Sequence, residues 1–425
     1  MKKNQVFIGI LVLILMVIFA VYQYSKSSNL ALFLITGLAL GYIFTRSRYG
    51  FAGGVRKIYF TGDGSLTKAL LLMFALSMIA TVGIHYGAAQ KGAVTAFNAA
   101  EGDAIIPGTG FVQKASLSTI IGGILFGIGM IFGGGCASGT LTDTGEGEAK
   151  GWIVLLFFCI GGVFGTAMDS WWKESFFSQA GIRVYLPDVF GYVGTIIVSL
   201  LLLLLIYVIT NKYEDKRKKE GTQNKEVYED WQKPLPELKE YKFFSKETYH
   251  KMFVERWSFY TGAVLTALIF IFIINTTGTS WGVSGPYTLW GVWLFEKVGI
   301  DFGSMPAFKG IVDTVNNGLL NHPVTIRNIG MIFGSAIALL LAGNFKFNFD
   351  FKGKDALFYA IGGILMGYGA KVAGGCNAGA LYSGLSNFSL SGWFFLVAMT
   401  VGGIIGSRIY ENVFLKDKKE VIAEK

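Results

Sequence analysis

Two stretches of this chain follow one template: IGGILFGIGMIFGGGCASGTL at residues 121–141 and IGGILMGYGAKVAGGCNAGAL at residues 361–381. At an offset of 240, Gly122, Gly123, Gly127 and Gly129 recur as Gly362, Gly363, Gly367 and Gly369. Gly134, Gly135 and Cys136 recur as Gly374, Gly375 and Cys376. Each copy is an apolar, glycine-spaced run that ends in a glycine–cysteine turn. Small residues let helix backbones approach closely in lipid, and a duplicated run predicts a molecule of two related halves.

Composition identifies the solvent. Hydrophobic residues make up 52% of the 425 and charged residues 15%, too few charges to cover a soluble domain. Ten stretches are long enough to cross ~30 Å of hydrocarbon. They run over 5–24, 29–45, 67–86, 116–133, 151–168, 190–210, 257–275, 325–342, 355–373 and 391–410. The expected fold is an all-α polytopic membrane protein with about ten transmembrane helices. These form two inverted repeats with short re-entrant glycine-rich hairpins.

The halves extend beyond the hairpins. Trp152 matches Trp393, Gly161–Gly162 match Gly402–Gly403, and Gly165 matches Gly406, now at an offset of 241. YGFAG at 49–53 resembles WGVSG at 281–285. The resulting division is an extra amino-terminal helix (1–28), a first repeat (29–168), and a connecting loop and helix (169–210). A cytoplasmic loop (211–256), a second repeat (257–410) and a cytoplasmic tail (411–425) follow. The run Val6 to Val21 looks superficially like a secretory signal. It has no small-residue cleavage site and a second apolar run follows at once, so a retained span is expected.

The net charge of +9 is distributed by side. With Lys2 and Lys3 inside, Arg46, Arg48, Arg56, Lys57, Lys346, Lys352 and Lys354 all fall inside, as do Lys416, Lys418 and Lys419. The loop 211–256 carries 12 Lys/Arg against 10 Asp/Glu and also falls inside. This positive-inside pattern puts both termini in the cytoplasm and makes lipid, not nucleic acid, the partner of the basic residues. Parity then runs the span before Cys136 opposite to the span before Cys376, which inverts the two copies.

Around the cysteines lie Gly134, Gly135 and Ser138 in one copy, and Gly374, Gly375 and Asn377 in the other. Glycine runs let amide N–H groups converge, and a helix starting there points its positive end at an anion. A thiol adds a polarizable weak donor of small bulk, suited to a sulfur-containing solute. An ordinary tight surface turn would carry the same glycines. Lys371, five residues before Cys376 in an otherwise uncharged span, either attracts an anion or snorkels. Arg48 beside the YGFAG turn serves an anion or the positive-inside bias. Asp143, Glu146 and Glu148 follow the first hairpin without acidic counterparts after the second, and are expected in an inner exit loop.

Three cysteines exclude a disulfide framework, and Cys159 in LLFFCIGG reads as packed. Two cysteines without a neighbouring histidine or carboxylate pair make a poor metal site. No phosphate-binding loop, nucleophile elbow or HExxH occurs, so neither a cofactor nor an enzyme activity is expected.

The paired motifs GGGCASG (133–139) and GGCNAG (374–379), with YGFAG, resemble the YeeE/YedE family of bacterial inner-membrane proteins. The resemblance covers residues 29–410. It implies uptake of thiosulfate, an hourglass-shaped bundle, and thiosulfate passed along central cysteines, a role that falls on Cys136 and Cys376. It also implies a cytosolic sulfur-carrier or rhodanese-like partner. The thiosulfate carriers of that family use a third cysteine in the early loop, where this chain has Tyr49 and Gly50. A second reading stays open, in which the cysteines relay a sulfane or selenium species to a cytosolic acceptor.

Overall fold

The computed structural model describes residues 3–224, 228–236 and 243–415. Lys2, Lys416, Lys418 and Lys419, used above for orientation, lie outside the described residues. Among the described residues, nine helices are long and apolar enough to cross a membrane, and a tenth is completed by a bent pair. The structure is all-α apart from two two-residue strands, β1 (Lys114–Ala115) and β2 (Ile182–Arg183), paired antiparallel.

The long helices are α1 (Lys3–Lys26), α2 (Ser28–Ser47), α4 (Ser65–Ala89), α5 (Leu117–Phe132) and α7 (Ala149–Ala167). They continue with α8 (Leu186–Lys219), α9 (Phe259–Thr277), α11 (Pro323–Ala342), α12 (Gly353–Val372) and α13 (Leu390–Tyr410). Among the shorter helices between them are α3 (Phe51–Thr61), α6 (Ala137–Gly145) and α10 (Gly285–Lys297). Local chemistry sets the ends. Ser116 and Ser258 accept the N–H groups of Thr119 and Thr261 at the starts of α5 and α9, while left-handed Gly278 and Gly343 close α9 and α11.

Glycine sets the packing. α5 and α12 cross antiparallel, with Gly122 against Gly369 and Ala373, and Gly129 against Gly362 and Met366. A methyl group on Gly402 of α13 would strike the carbonyl of Ile124, and one on Gly161 of α7 that of Ile364. Each contact in one half therefore has its counterpart in the other. Contacts this close need glycine, and they replace the hydrophobic driving force that lipid does not supply. The larger core cluster fills the space between these helices and includes both template cysteines. α1 presents Phe7, Leu15, Ile18 and Val21 outward, as expected of an added peripheral span.

Candidate functional site

The two glycine–cysteine turns begin alike. Gly134 and Gly374 have φ of 74° and 77°, a left-handed conformation that glycine adopts at little cost. Their N–H groups close onto Ile131 O and Lys371 O at 3.2 and 3.3 Å. The chain between α12 and the next helix is bent by 44°, so it is deflected across residues 373–376 rather than reversed.

Beyond the cysteines the copies diverge. Thr140 N–H bonds to Cys136 O at 2.8 Å, an ordinary α-helical turn, and α6 follows. In the second copy Asn377–Ser383 is a π-helix, in which both Ala380 and Leu381 N–H reach Cys376 O, at 2.7 and 3.3 Å. The repeat offset rises from 240 at Leu141/Leu381 to 241 at Trp152/Trp393, and the π-helix overlaps the start of this interval. The extra residue is absorbed by a wider turn, a form that recurs at functional sites.

Both thiols are buried, Cys136 at 1% and Cys376 at 0% exposure, and lie within electrostatic range of each other. Cys136 Sγ lies 3.3 Å from Ser138 Oγ, and the backbone amides of Ala52 and Gly139 face it. Those amides belong to the first turns of α3 and α6, so two helix N-termini converge on one sulfur. This is a place for negative charge or an electron-rich atom. Asn377 is wholly buried, its amide nitrogen 3.9 Å from Met130 Sδ and its Oδ1 without a partner. Tyr287 of α10 joins the halves by donating its hydroxyl to Ala137 O at 2.7 Å.

Separate cavities approach the two turns. One, of about 180 Å³, is lined by Gly134, Gly135 and Cys136 together with Arg48, Asp143 and Glu146. Another, of about 500 Å³, is lined by Gly374, Gly375, Lys371 and His322, with Ser284 and Gly285 at the start of α10. Lys371 and Gly374 also face an adjoining cavity that holds Lys114, Lys173, Arg183 and Asp169. Lys371 therefore stands between two wet spaces, on a wall richer in cations than in acids.

Of the residues singled out above, Arg48, Gly134, Gly135, Cys136, Asp143 and Glu146 line the first cavity and Lys371, Gly374 and Gly375 the second, while Cys376 lines neither. Ser138 and Asn377 sit one layer behind the surface, against sulfur atoms. The acids take a role that the sequence did not assign. Glu146 is buried and accepts from Arg48 at 2.6 Å, and Asp143 pairs with Lys150 at 3.2 Å. Arg48 itself is left-handed at φ 50°, an unusual backbone state for arginine that often accompanies functional sites. Sequence reasoning also missed Arg327, wholly buried in α11, which stacks on Phe33 and donates to Thr36 Oγ1 at 3.3 Å. His322 is the cap of α11, its Nδ1 accepting the Thr325 N–H at 3.2 Å. Cys159 is buried in the packing of α7, as expected.

Nine long apolar helices and a bent tenth among the described residues, packed around two buried thiols with cavities approaching both turns, fit a polytopic membrane transport protein. The chain belongs to the sulphur transport family, whose model matches residues 46–405. It is 25% identical over 398 residues to the thiosulfate transporter TsuA of Spirochaeta thermophila, covering 87% of this chain and 95% of that protein. The corresponding TsuA of Escherichia coli is 26% identical over 378 residues, covering 87% and 91%. The probable transporter YedE of Escherichia coli is 31% identical over 163 residues, covering 37% of this chain and 39% of that protein.

Proposed function

We propose that this protein takes up a small sulfur-containing anion, with thiosulfate as its substrate, along a central path gated by the segments that carry Cys136 and Cys376. The observation that carries the reading is the convergence of the α3 and α6 amides on a buried thiol at the end of a cavity. Amides stabilise the anionic oxygens, and a thiol offers S–H to a terminal sulfur atom. No covalent step is required. Both TsuA relatives are thiosulfate transporters over nearly their whole length, which supports this substrate.

The two halves act as inverted repeats related by a two-fold axis in the membrane plane, a reading supported by the reciprocal glycine contacts of α5, α7, α12 and α13. Both termini face the cytoplasm of a bacterial inner membrane, a placement supported by the basic residues at one end of the bundle. The cavity with Lys371 then opens outward and collects anions, while that with Arg48 and Glu146 opens inward. A cytosolic sulfur-carrier or rhodanese-like protein would receive the cargo there. Burial of both thiols favours conduction over transfer of a sulfane atom to such a protein, because a soluble acceptor has no access to either sulfur.

The test is thiosulfate uptake into vesicles containing purified Cys136→Ala or Cys376→Ala protein. Alanine keeps a small apolar group in each site, so insertion and thermal stability stay near the parent while uptake falls to background. Near-normal uptake by both variants would sink the reading.

A further inference from the structure

We propose that a groove between α3, α4, α8 and α13 holds an acyl chain of one anionic phospholipid, whose headgroup lies at Arg408. The groove has a volume of about 470 Å³ and shares no lining residue with the cavities that approach the two turns. Ile206 and Ile209 of α8 face Met399 and Ile404 of α13 across it. α8 packs chiefly on α4, and its other faces expose Leu201, Leu204 and Leu205. The gap therefore lies within the hydrocarbon layer and opens toward it. Packed interiors do not keep large voids, and this lining offers water too few polar partners. A hydrocarbon chain is the occupant that lining and surroundings share.

The rim supplies the headgroup chemistry. At the end where α8 and α13 finish, the groove is bordered by Tyr59, Tyr213 and Arg408. Arg408 is solvent-exposed and lies near the Tyr59 hydroxyl. Tyr213 Oη accepts from Arg217 at 3.0 Å, so a second guanidinium stands at the rim. Glu411, which accepts from Tyr59 at 3.0 Å, is the acid nearby. Arg217 is already bonded to Tyr59 O, Phe60 O and Thr222 O, so the exposed Arg408, with tyrosines at interface level, is the cation that favours an anionic headgroup over a zwitterionic one. The deep end matters for function. Phe51 and Phe74 line it, and their rings lie 5.8 and 5.7 Å from that of Tyr382 in the π-helix. A chain seated here braces the aromatic packing behind both glycine–cysteine turns.

The experiment is native mass spectrometry of the full chain purified in mild detergent and then offered phosphatidylglycerol and phosphatidylethanolamine in equal amounts. One phospholipid is expected to remain per chain, with phosphatidylglycerol preferred. Thr400→Trp, which fills the groove from α13, should weaken retention by about tenfold or more, corresponding to ~1.4 kcal/mol. Arg408→Gln should keep a lipid but lose the preference, and Arg408→Lys should restore it in part. Ile209→Trp fills the groove from the opposite wall and serves if Thr400→Trp does not fold. The proposal is overturned if the parent retains no lipid, if both filled variants retain as much as the parent, or if a second copy of the chain cross-links across the groove. None of these readouts depends on transport, so they stand apart from the fate of the thiosulfate reading.

Discussion

Arg48 Nη1 donates to the Glu146 carboxylate at 2.6 Å, joining residues 98 apart across the mouth of the cavity that ends at Cys136. The carboxylate occupies the guanidinium that an anion leaving Cys136 would otherwise meet. Glu146 is 6% exposed and Arg48 33%, so the pair is only partly screened by water. On the proposed path, an internal carboxylate of this kind would compete with cargo and favour its release.

Glu146→Gln should therefore trap cargo. Breaking a fully buried pair costs about 3–5 kcal/mol, and the exposure of Arg48 brings the expected loss nearer ~2 kcal/mol. In uptake kinetics KM and maximal rate should fall together by several-fold. A variant with unchanged KM would show that Arg48 does not touch the cargo.

Lys371→Gln addresses the other mouth. Removing a cation that steers anions should raise KM about threefold at low ionic strength and leave the maximal rate unchanged. The difference should vanish in ~0.5 M salt, where the Debye length drops to a few ångströms. A salt-independent loss would make Lys371 a packing residue instead.

The helix crossings make a paired prediction. Gly402→Val and Gly161→Val each drive a branched side chain into a backbone carbonyl, of Ile124 and Ile364 respectively. Each should cost about 3 kcal/mol or prevent folding, and by similar amounts. Thermal unfolding in detergent measures both, and a strong effect from one alone would contradict the matched packing of the two halves.

His322 lies just outside α11, and burial lowers its pKa from the ordinary 6.5. Its neutral Nδ1 caps the helix. The unfolded chain binds the proton more readily, so the contribution is fully present above about pH 6.5. It is lost as pH falls through the lower folded value. The parent should lose thermal stability more steeply than His322→Asn between pH 7.5 and pH 5, since asparagine caps without titrating. Parallel curves would remove His322 as the cause.

Much of this was legible in the sequence because lipid imposes simple rules. Uniform apolar runs marked ten spans, nine of them within a few residues of the observed helices while α8 runs on to Lys219, and the glycine template located both turns. What stayed hidden depended on contacts between distant residues. Glu146 reads as one acid among three until α6 brings it beneath Arg48. Arg327 sits in an apolar run whose neighbours on α2 are almost 300 residues away. The change of offset from 240 to 241 was visible, but a one-residue shift has no shape until the backbone shows where it is absorbed.

That one-residue shift has a larger consequence. A passage assembled from two identical, oppositely facing halves would look the same to a solute arriving from either side, and outward and inward journeys would be one process. The two copies here already differ in their side chains, and the π-helix at Asn377–Ser383 makes their backbones differ as well. On the proposed path, a solute would meet a wider backbone turn after Cys376 than after Cys136, so the two faces of the passage could be tuned separately by natural variation.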